Sequence, residues 1–454
     1  VRLSREQTSA AIQCATAAGE GGRFVFVTGK AGSGKSTVLR ALQESGMQMV
    51  ICAPTGLAAI NVGGQTLHST FRLESGPNFP EKAKPIDSRR LAPIAAADAI
   101  VIDEISMVRA DVMDTIDVAL RRSLDPDRPF GGKTILAFGD LWQLEPVARA
   151  EEWKMLSADY RSPFFFDAQV FRGGREGLIE EIPAAELELV ALNQVHRQSG
   201  DPEFIDALNS VRYGEAAYVP FLNQFAGRRP EKGAMVPILT LTNDRAETVN
   251  ARQLSSLPGE SHHYEAEVEG NFGRDFPCMK TLELRVGARV MAIKNVTDYE
   301  AGIRVVNGDV GEVIEFRGGV PIVQFPDGRV WNAMLESWEK IKFSVTGTGK
   351  SREVTREVEA SVKQVPLKLA WGITVHKSQG QTLDSALIEL ESRSRTHGQL
   401  YVALSRVRSR EGLFLGRPLA PQDIVVSRRV QEFFGHTPDH LEPATSTVPS
   451  LFAK

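Results

Sequence analysis

Cysteine is scarce in this 454-residue chain: Cys14, Cys52 and Cys278 are all it has. Three scattered thiols exclude a disulfide framework, and no His, Cys and carboxylate grouping has zinc spacing. A reducing, intracellular compartment is expected: cytoplasm or nucleoid in a bacterium, nucleus or mitochondrion in a eukaryote. Long apolar runs are missing too. The stretch from Pro93 to Ile102 is broken by Asp98, so no membrane span is expected. The chain opens on Val with no secretory pattern, and a processed or internal start is expected. Charge of one sign is also lacking. Lys and Arg number 53 against 57 Asp and Glu, a formal −4. A nucleic-acid partner would therefore need a local basic groove, since the molecule as a whole does not attract it.

What is present is a globular composition, 42% hydrophobic and 24% charged, in a chain long enough for several domains. Its most informative residues are Gly29-Lys30-Ala31-Gly32-Ser33-Gly34-Lys35-Ser36. They fit G-x-x-x-x-G-K-[ST], with the apolar run Phe24 to Val27 before them and the apolar-periodic stretch Thr37 to Leu42 after. Strand, glycine-rich loop and helix in that order make a phosphate-binding loop. Its backbone N–H groups turn inward and the helix N-terminus adds partial positive charge. Lys35 reaches β- and γ-phosphates, and the Ser36 hydroxyl suits Mg²⁺.

Ala99-Ile100-Val101-Ile102-Asp103-Glu104 reads as a buried parallel strand ending in two carboxylates. Strand ends of that kind are where open α/β sheets bind ligands. Asp103 would hold Mg²⁺ through water, and Glu104 would be the base for an attacking water. Thr134 to Gly139 is a further buried strand, followed by Asp140, Trp142 and Gln143. The Gln143 amide could bond a γ-phosphate or orient water, which would make it a sensor. Trp142 could stack on a base or pack in the core.

In this order the segments resemble the petite-integration-frequency (PIF) family of DNA helicases, in the 5′-to-3′ subclass of superfamily one that includes RecD. Besides the three above, the resemblance is carried by Leu3 to Gln7, Ala53 to Ala59, Thr66 to Ser69, Pro129 to Gly132, Val195 to Gln198, Leu241 to Asn243, Val375 to Gly380 and Leu400 to Arg406. Glu145 departs from it, standing where the family commonly has Pro.

The resemblance implies an α/β fold of two RecA-like P-loop domains with ATP in the cleft between them. The first would span 1–175, with a wedge insertion at about 74–90. The second would comprise 176–264 and 366–437. An inserted Src-homology-three-like β-barrel would fill 265–365, where the turn pairs Asn307-Gly308, Gly318-Gly319 and Asp327-Gly328 separate short strand candidates. A mobile tail would run from 438 to 454. Read from residues alone, Glu74 to Arg90 is equally a wedge or a plain surface loop.

The nucleotide site implied is Gln7 on the adenine edge, Gly32 to Thr37 on the phosphates, and Gln379 and Gly380 beside them. Arg197 and Arg406 would be the arginines that meet the γ-phosphate. DNA would be met by Pro54, Thr55, Gly56, Thr66, His68, Ser69 and Phe71 in the first domain. In the second it would be met by Thr242, Asn243, His376, Lys377 and Ser378. The cofactors implied are ATP and Mg²⁺; the partners are single-stranded DNA and duplex or fork DNA, met by a monomer. G-quadruplexes and RNA–DNA hybrids are possible family substrates. Two other functions fit the residues: an ATP-driven DNA-binding switch that does not unwind, and a RecD-like subunit of a recombination complex.

Overall fold

The computed structural model describes residues 3–55, 58–59, 62–74, 76–172, 184–195, 201–231, 236–270, 276–294, 296–298, 303–305, 308–346, 353–390 and 396–435. Gly56, Arg197, Asn307 and the tail from 438 lie outside them. The chain divides into two compact units, one of residues up to 229 with those from 378 onward, the other of residues 230–377. No helix among the described residues is long and apolar enough to cross a membrane.

The first unit is built on a parallel sheet. Its strands are β1 (Phe24–Gly29), β2 (Met49–Ala53), β3 (Gln65–Thr66), β4 (Ala99–Ile102), β5 (Thr134–Gly139) and β6 (Leu187–Leu192), in the order β3-β2-β4-β5-β1-β6. Strand alternation sorts the side chains. Phe24, Phe26, Ile100, Ile102, Ile135 and Ala137 enter one apolar cluster. Val25, Val27, Ala99, Val101, Leu136 and Phe138 enter another. Both faces are covered, which is why these runs carry no polar interruption.

Register then positions the site. Thr28 lies opposite Gly139, and Ile102 opposite Ala137. The neighbours β4, β5 and β1 all run the same way. The phosphate loop, Asp103-Glu104 and the Asp140–Gln143 turn therefore leave the sheet from one edge. Two helices frame that edge. Helix α1 (Arg5–Glu20) begins in a capping box, in which Ser4 Oγ accepts the Gln7 N–H and Gln7 Oε1 accepts the Ser4 N–H. Helix α2 (Lys35–Glu44) begins at Gly34, whose φ of 88° is cheap only for glycine.

The segment Glu74 to Arg90 is packed down rather than loose. Ala83 and Ile86 join the first apolar cluster. Arg109 Nη2 donates to Gly76 O (2.6 Å), and the Asn78 N–H donates to Asp111 Oδ2 (2.8 Å). Ile86 N–H donates to Ser123 Oγ (2.8 Å). Arg109 in turn grips the buried Asp111 carboxylate through Nε (2.9 Å) and Nη2 (2.7 Å).

The second unit is mostly antiparallel. Its five-stranded sheet takes the order Val330–Asn332, Val320–Gln324, Val310–Arg317, Arg289–Ala292, Leu367–Leu369. Gly318-Gly319 forms the tight turn of its central hairpin, both glycines at positive φ. Leu284, Val290, Val313, Val323, Trp331 and Leu367 share one core. In the same unit Ile238–Thr240 pairs in parallel with Gly372–Thr374, and the helix Asn243–Ser256 packs on both.

Asp111→Ala should destabilise the first unit by about 2 kcal/mol, because it removes the two-oxygen partner of Arg109, leaving that guanidinium to Glu152 (3.0 Å) and Gly76 O, and frees the Asn78 N–H. Denaturant unfolding checks this; a change under about 0.5 kcal/mol would mean that 74–90 is not anchored there.

Candidate nucleotide site

A cavity of about 680 Å³ opens at that sheet edge. Gln7, Gly32, Gly34, Lys35, Ser36, Thr37, Asp103, Glu104, Gln143, Gly380 and Arg406 all line it. These residues come from positions 7 to 406, and all belong to the first unit. Ser33 and Gln379 stand just behind the lining. Arg197, the other arginine expected here, lies outside the described residues.

Lys35 is the cation of the loop. Its Nζ donates to Gly29 O (2.7 Å) and Lys30 O (3.2 Å), so the loop's own carbonyls hold it across the turn. Burial lowers its pKa, while Asp140 and Glu104 push back. Asp103 sits in the opposite difficulty. Burial first, and the Glu104 charge second, raise its pKa to about 7. Two carboxylates in one desolvated corner call for a cation.

Glu104 has φ 51° and ψ 43°, a left-handed backbone that is uncommon outside glycine. Strain of that sort collects where a side chain must be aimed. Its Oε2 accepts Gln379 Nε2 (3.0 Å). Gln379 therefore touches the carboxylate, rather than lining the cavity as a nucleotide contact. Arg406 is buried. Its guanidinium donates to Val402 O (3.0 Å), Gln381 O (3.2 Å) and Ser405 Oγ (3.1 Å), all neutral acceptors.

Gln7 is more committed than its sequence position suggested. Besides closing the capping box, its Nε2 donates to Ser33 O (3.1 Å). One N–H and one lone pair remain for a ligand. The amide thus supports the phosphate loop directly.

The residues expected to meet DNA divide into two kinds. Thr55 Oγ1 accepts the Ala58 N–H (3.2 Å), Thr66 Oγ1 the Ser69 N–H (3.2 Å) and Thr242 Oγ1 the Arg245 N–H (3.3 Å). Each is a cap whose O–H is still free to donate. His68, Ser69, Asn243 and Lys377 are exposed; Pro54 and His376 are half-buried. Phe71 and Ser378 correct the expectation. Phe71 packs into the first apolar cluster and Ser378 is wholly buried, so neither offers its side chain to a strand. Trp142 resolves toward packing as well. Its ring is buried, stacks on Phe434 at 5.8 Å and meets Tyr213 edge-on at 5.3 Å.

Sequence reasoning missed Arg212 altogether. It forms a buried ion pair with Asp140 (2.8 Å) one layer behind the cavity. Nothing in its helix, Pro202–Tyr213, marks it apart from a solvent arginine.

Glu104→Gly should raise unfolding free energy by about 1 kcal/mol, since it relieves both the left-handed strain and the carboxylate repulsion. Denaturant unfolding is the check, and a loss of stability would show that this backbone is not strained.

Known proteins are similar to this chain in sequence and in fold. Residues 2–162 match the model of the PIF1-like helicase family. The ATP-dependent DNA helicase PIF1 of Xenopus laevis is 33% identical over 428 residues, covering 91% of this chain and 61% of that protein. The chain thus spans about three fifths of the length of that relative. The ATP-dependent DNA helicase Pif1 of Bdellovibrio bacteriovorus is 29% identical, covering 96% of this chain and 92% of its own. Among solved structures, a Bacteroides Pif1 helicase in complex with ADP-AlF3 and single-stranded DNA superposes with a TM-score of 0.77 at 34% identity. That match covers 97% of this chain and 98% of the other.

Proposed function

The chain belongs to the PIF1-like helicases, and from that premise we propose that it is an ATP- and Mg²⁺-dependent motor moving 5′-to-3′ along single-stranded DNA and opening duplexes. It works as a monomer, with the DNA, inside the cell. One observation carries the reading: a phosphate loop, two strand-end carboxylates, an amide and a buried arginine line a single cavity.

The chemistry follows from the side chains. The loop N–H groups and α2 take the phosphates, and Lys35 exchanges the carbonyls of Gly29 and Lys30 for β- and γ-phosphate oxygens. The remaining donor and acceptor of Gln7 match the N7 and 6-amino groups of adenine. Ser36 and Asp103 suit Mg²⁺. Among the described residues no three His, Cys, Asp or Glu side chains converge to hold a metal. Mg²⁺ needs no such cage, because it is usually held by one carboxylate, waters and substrate phosphates. When bound it supplies positive charge to the β- and γ-oxygens.

Glu104 accepts a proton from the attacking water as its oxygen bonds to the γ-phosphorus. The bond to the bridging oxygen breaks, and ADP and phosphate result. Arg406 leaves the Val402 and Gln381 carbonyls and the Ser405 hydroxyl for the charge that develops on the γ-oxygens, an exchange favoured only when triphosphate is present. Arg197 serves the same end. Strand contact falls to Thr55, Thr66, Thr242, Asn243 and Lys377, whose donors bind phosphate without reading bases. The segment 74–90 is the wedge at the fork.

Unwinding of duplexes with a 5′ or a 3′ single-stranded tail decides the reading. ATP-dependent opening of the 5′-tailed form alone is expected, and Lys35→Ala should lower it more than about 100-fold. Equal opening of both forms would contradict the direction; opening by neither would contradict the motor.

The Asp103 pKa supplies a pH test. Its carboxyl, raised to about 7, must ionise to hold a cation. Mg²⁺-dependent nucleotide affinity should therefore rise from about pH 6 to about pH 8, and flatten in Asp103→Asn. Titration calorimetry measures it, and affinity that falls with pH would remove Asp103 from the cation site.

A further inference from the structure

Asp140 is wholly buried and gathers donors from separate parts of the first unit. Its Oδ1 accepts Arg212 Nη2 (2.8 Å) and the Trp142 N–H (3.2 Å). Its Oδ2 accepts Gln143 Nε2 (3.3 Å), Arg212 Nε (3.4 Å) and the Tyr401 hydroxyl (3.4 Å). Tyr401 Oη also accepts the Ala31 N–H of the phosphate loop (2.9 Å). That oxygen accepts a hydrogen bond from Ala31, so its own O–H turns to Asp140.

The charges are fixed in place. Burial is the largest single influence and opposes ionisation of both Asp140 and Arg212, but Arg212 with Lys35 holds Asp140 below the usual carboxylate range, and Asp140 with Tyr401 and Tyr213 holds Arg212 above the usual guanidinium range. The Tyr401 hydroxyl is pushed up by burial and then by Asp140, and stays a proton donor. The Arg212 guanidinium also lies over the rings of Trp142 (5.6 Å) and Tyr213 (5.0 Å). From the far side, the His397 ring holds the turn at Leu141 O (2.6 Å) and accepts the Ser427 N–H (2.8 Å).

Asp140, Arg212 and Tyr401 do not line the cavity, whereas Gln143 and Ala31 do. A buried ion pair is seldom more stabilising than apolar side chains of the same volume. Its place directly behind the cavity wall gives it another use. We propose that Tyr401, Asp140 and Arg212 are a positioning relay that sets the Gln143 amide and the phosphate loop together for hydrolysis.

The relay fixes the Gln143 amide at the cavity wall. Asp140 takes one N–H of its nitrogen, which leaves the second N–H and the carbonyl oxygen for a γ-phosphate oxygen or the attacking water. The helix Gln399–Ser405 carries Tyr401 and runs directly into Arg406. One element thereby sets loop, amide and arginine.

This inference rests on the ATP-hydrolysis reading above, and the test separates the two. Tyr401→Phe removes one oxygen and keeps the ring. It should lower kcat for DNA-stimulated ATP hydrolysis about tenfold while KM for ATP stays within about threefold. In a Gln143→Ala background the same change should cost less than about twofold, because the group it positions is gone. Arg212→Lys, which cannot grip both carboxylate oxygens, should reproduce the kcat loss. Independent multiplication of the Tyr401 and Gln143 effects, or a loss confined to KM, would overturn the relay. Hydrolysis by the unsubstituted protein is measured first. Its absence would sink the ATPase reading and this inference with it; full turnover in Tyr401→Phe would sink the inference alone.

Discussion

Three neighbouring strands that run the same way are the constraint from which the rest follows. Because β4, β5 and β1 are parallel, their C-terminal ends share one edge. Whatever follows them in sequence must crowd there. A loop of backbone donors follows β1, two carboxylates follow β4, and an aspartate and a glutamine amide follow β5. An antiparallel β5 would have sent Asp140 and Gln143 to the opposite end of the sheet, out of reach of Lys35.

Crowding charge at a desolvated edge has a cost, and the protein meets it unevenly. Asp140 is compensated by Arg212 and three further donors. Asp103 is not, and its raised pKa records the difference. The compensated carboxylate sits behind the wall, while the uncompensated one faces the cavity, where a ligand can complete it. Glu104 adds backbone strain on the same side. Instability is thus kept where binding can relieve it, which is the usual trade between stability and activity.

The parts legible in sequence were those written along one strand, turn and helix. Lys35, Ser36, Asp103 and Glu104 hold their places by local spacing, and the sheet brings them together without further instruction. Residues whose role depends on a distant partner were not legible. Arg212 meets Asp140 across 72 positions and Tyr401 meets Ala31 across 370. No local pattern encodes either. Trp142 could not be assigned because Phe434, which covers it, comes from near the end of the described chain. Phe71 was different, since a signal was there: Leu67, Thr70 and Phe71 recur at helical spacing, and all three are buried. The period outweighed the appeal of an aromatic beside polar groups. Gln7 lines the cavity and Gln379 does not, and their amides are engaged by Ser33 and Glu104, which only coordinates reveal.

The capping threonines carry a consequence for motion. Each accepts a helix N–H on one lone pair and keeps a single proton to give. A polynucleotide backbone presents an acceptor of the same kind at every nucleotide. A grip made of such donors has the same free energy at each register, so the track itself is level. Friction is then low, and a shift by one nucleotide neither gains nor loses binding energy. In the motor proposed above, direction would have to be imposed from the nucleotide cycle, because a level and repeating track contains no arrow of its own.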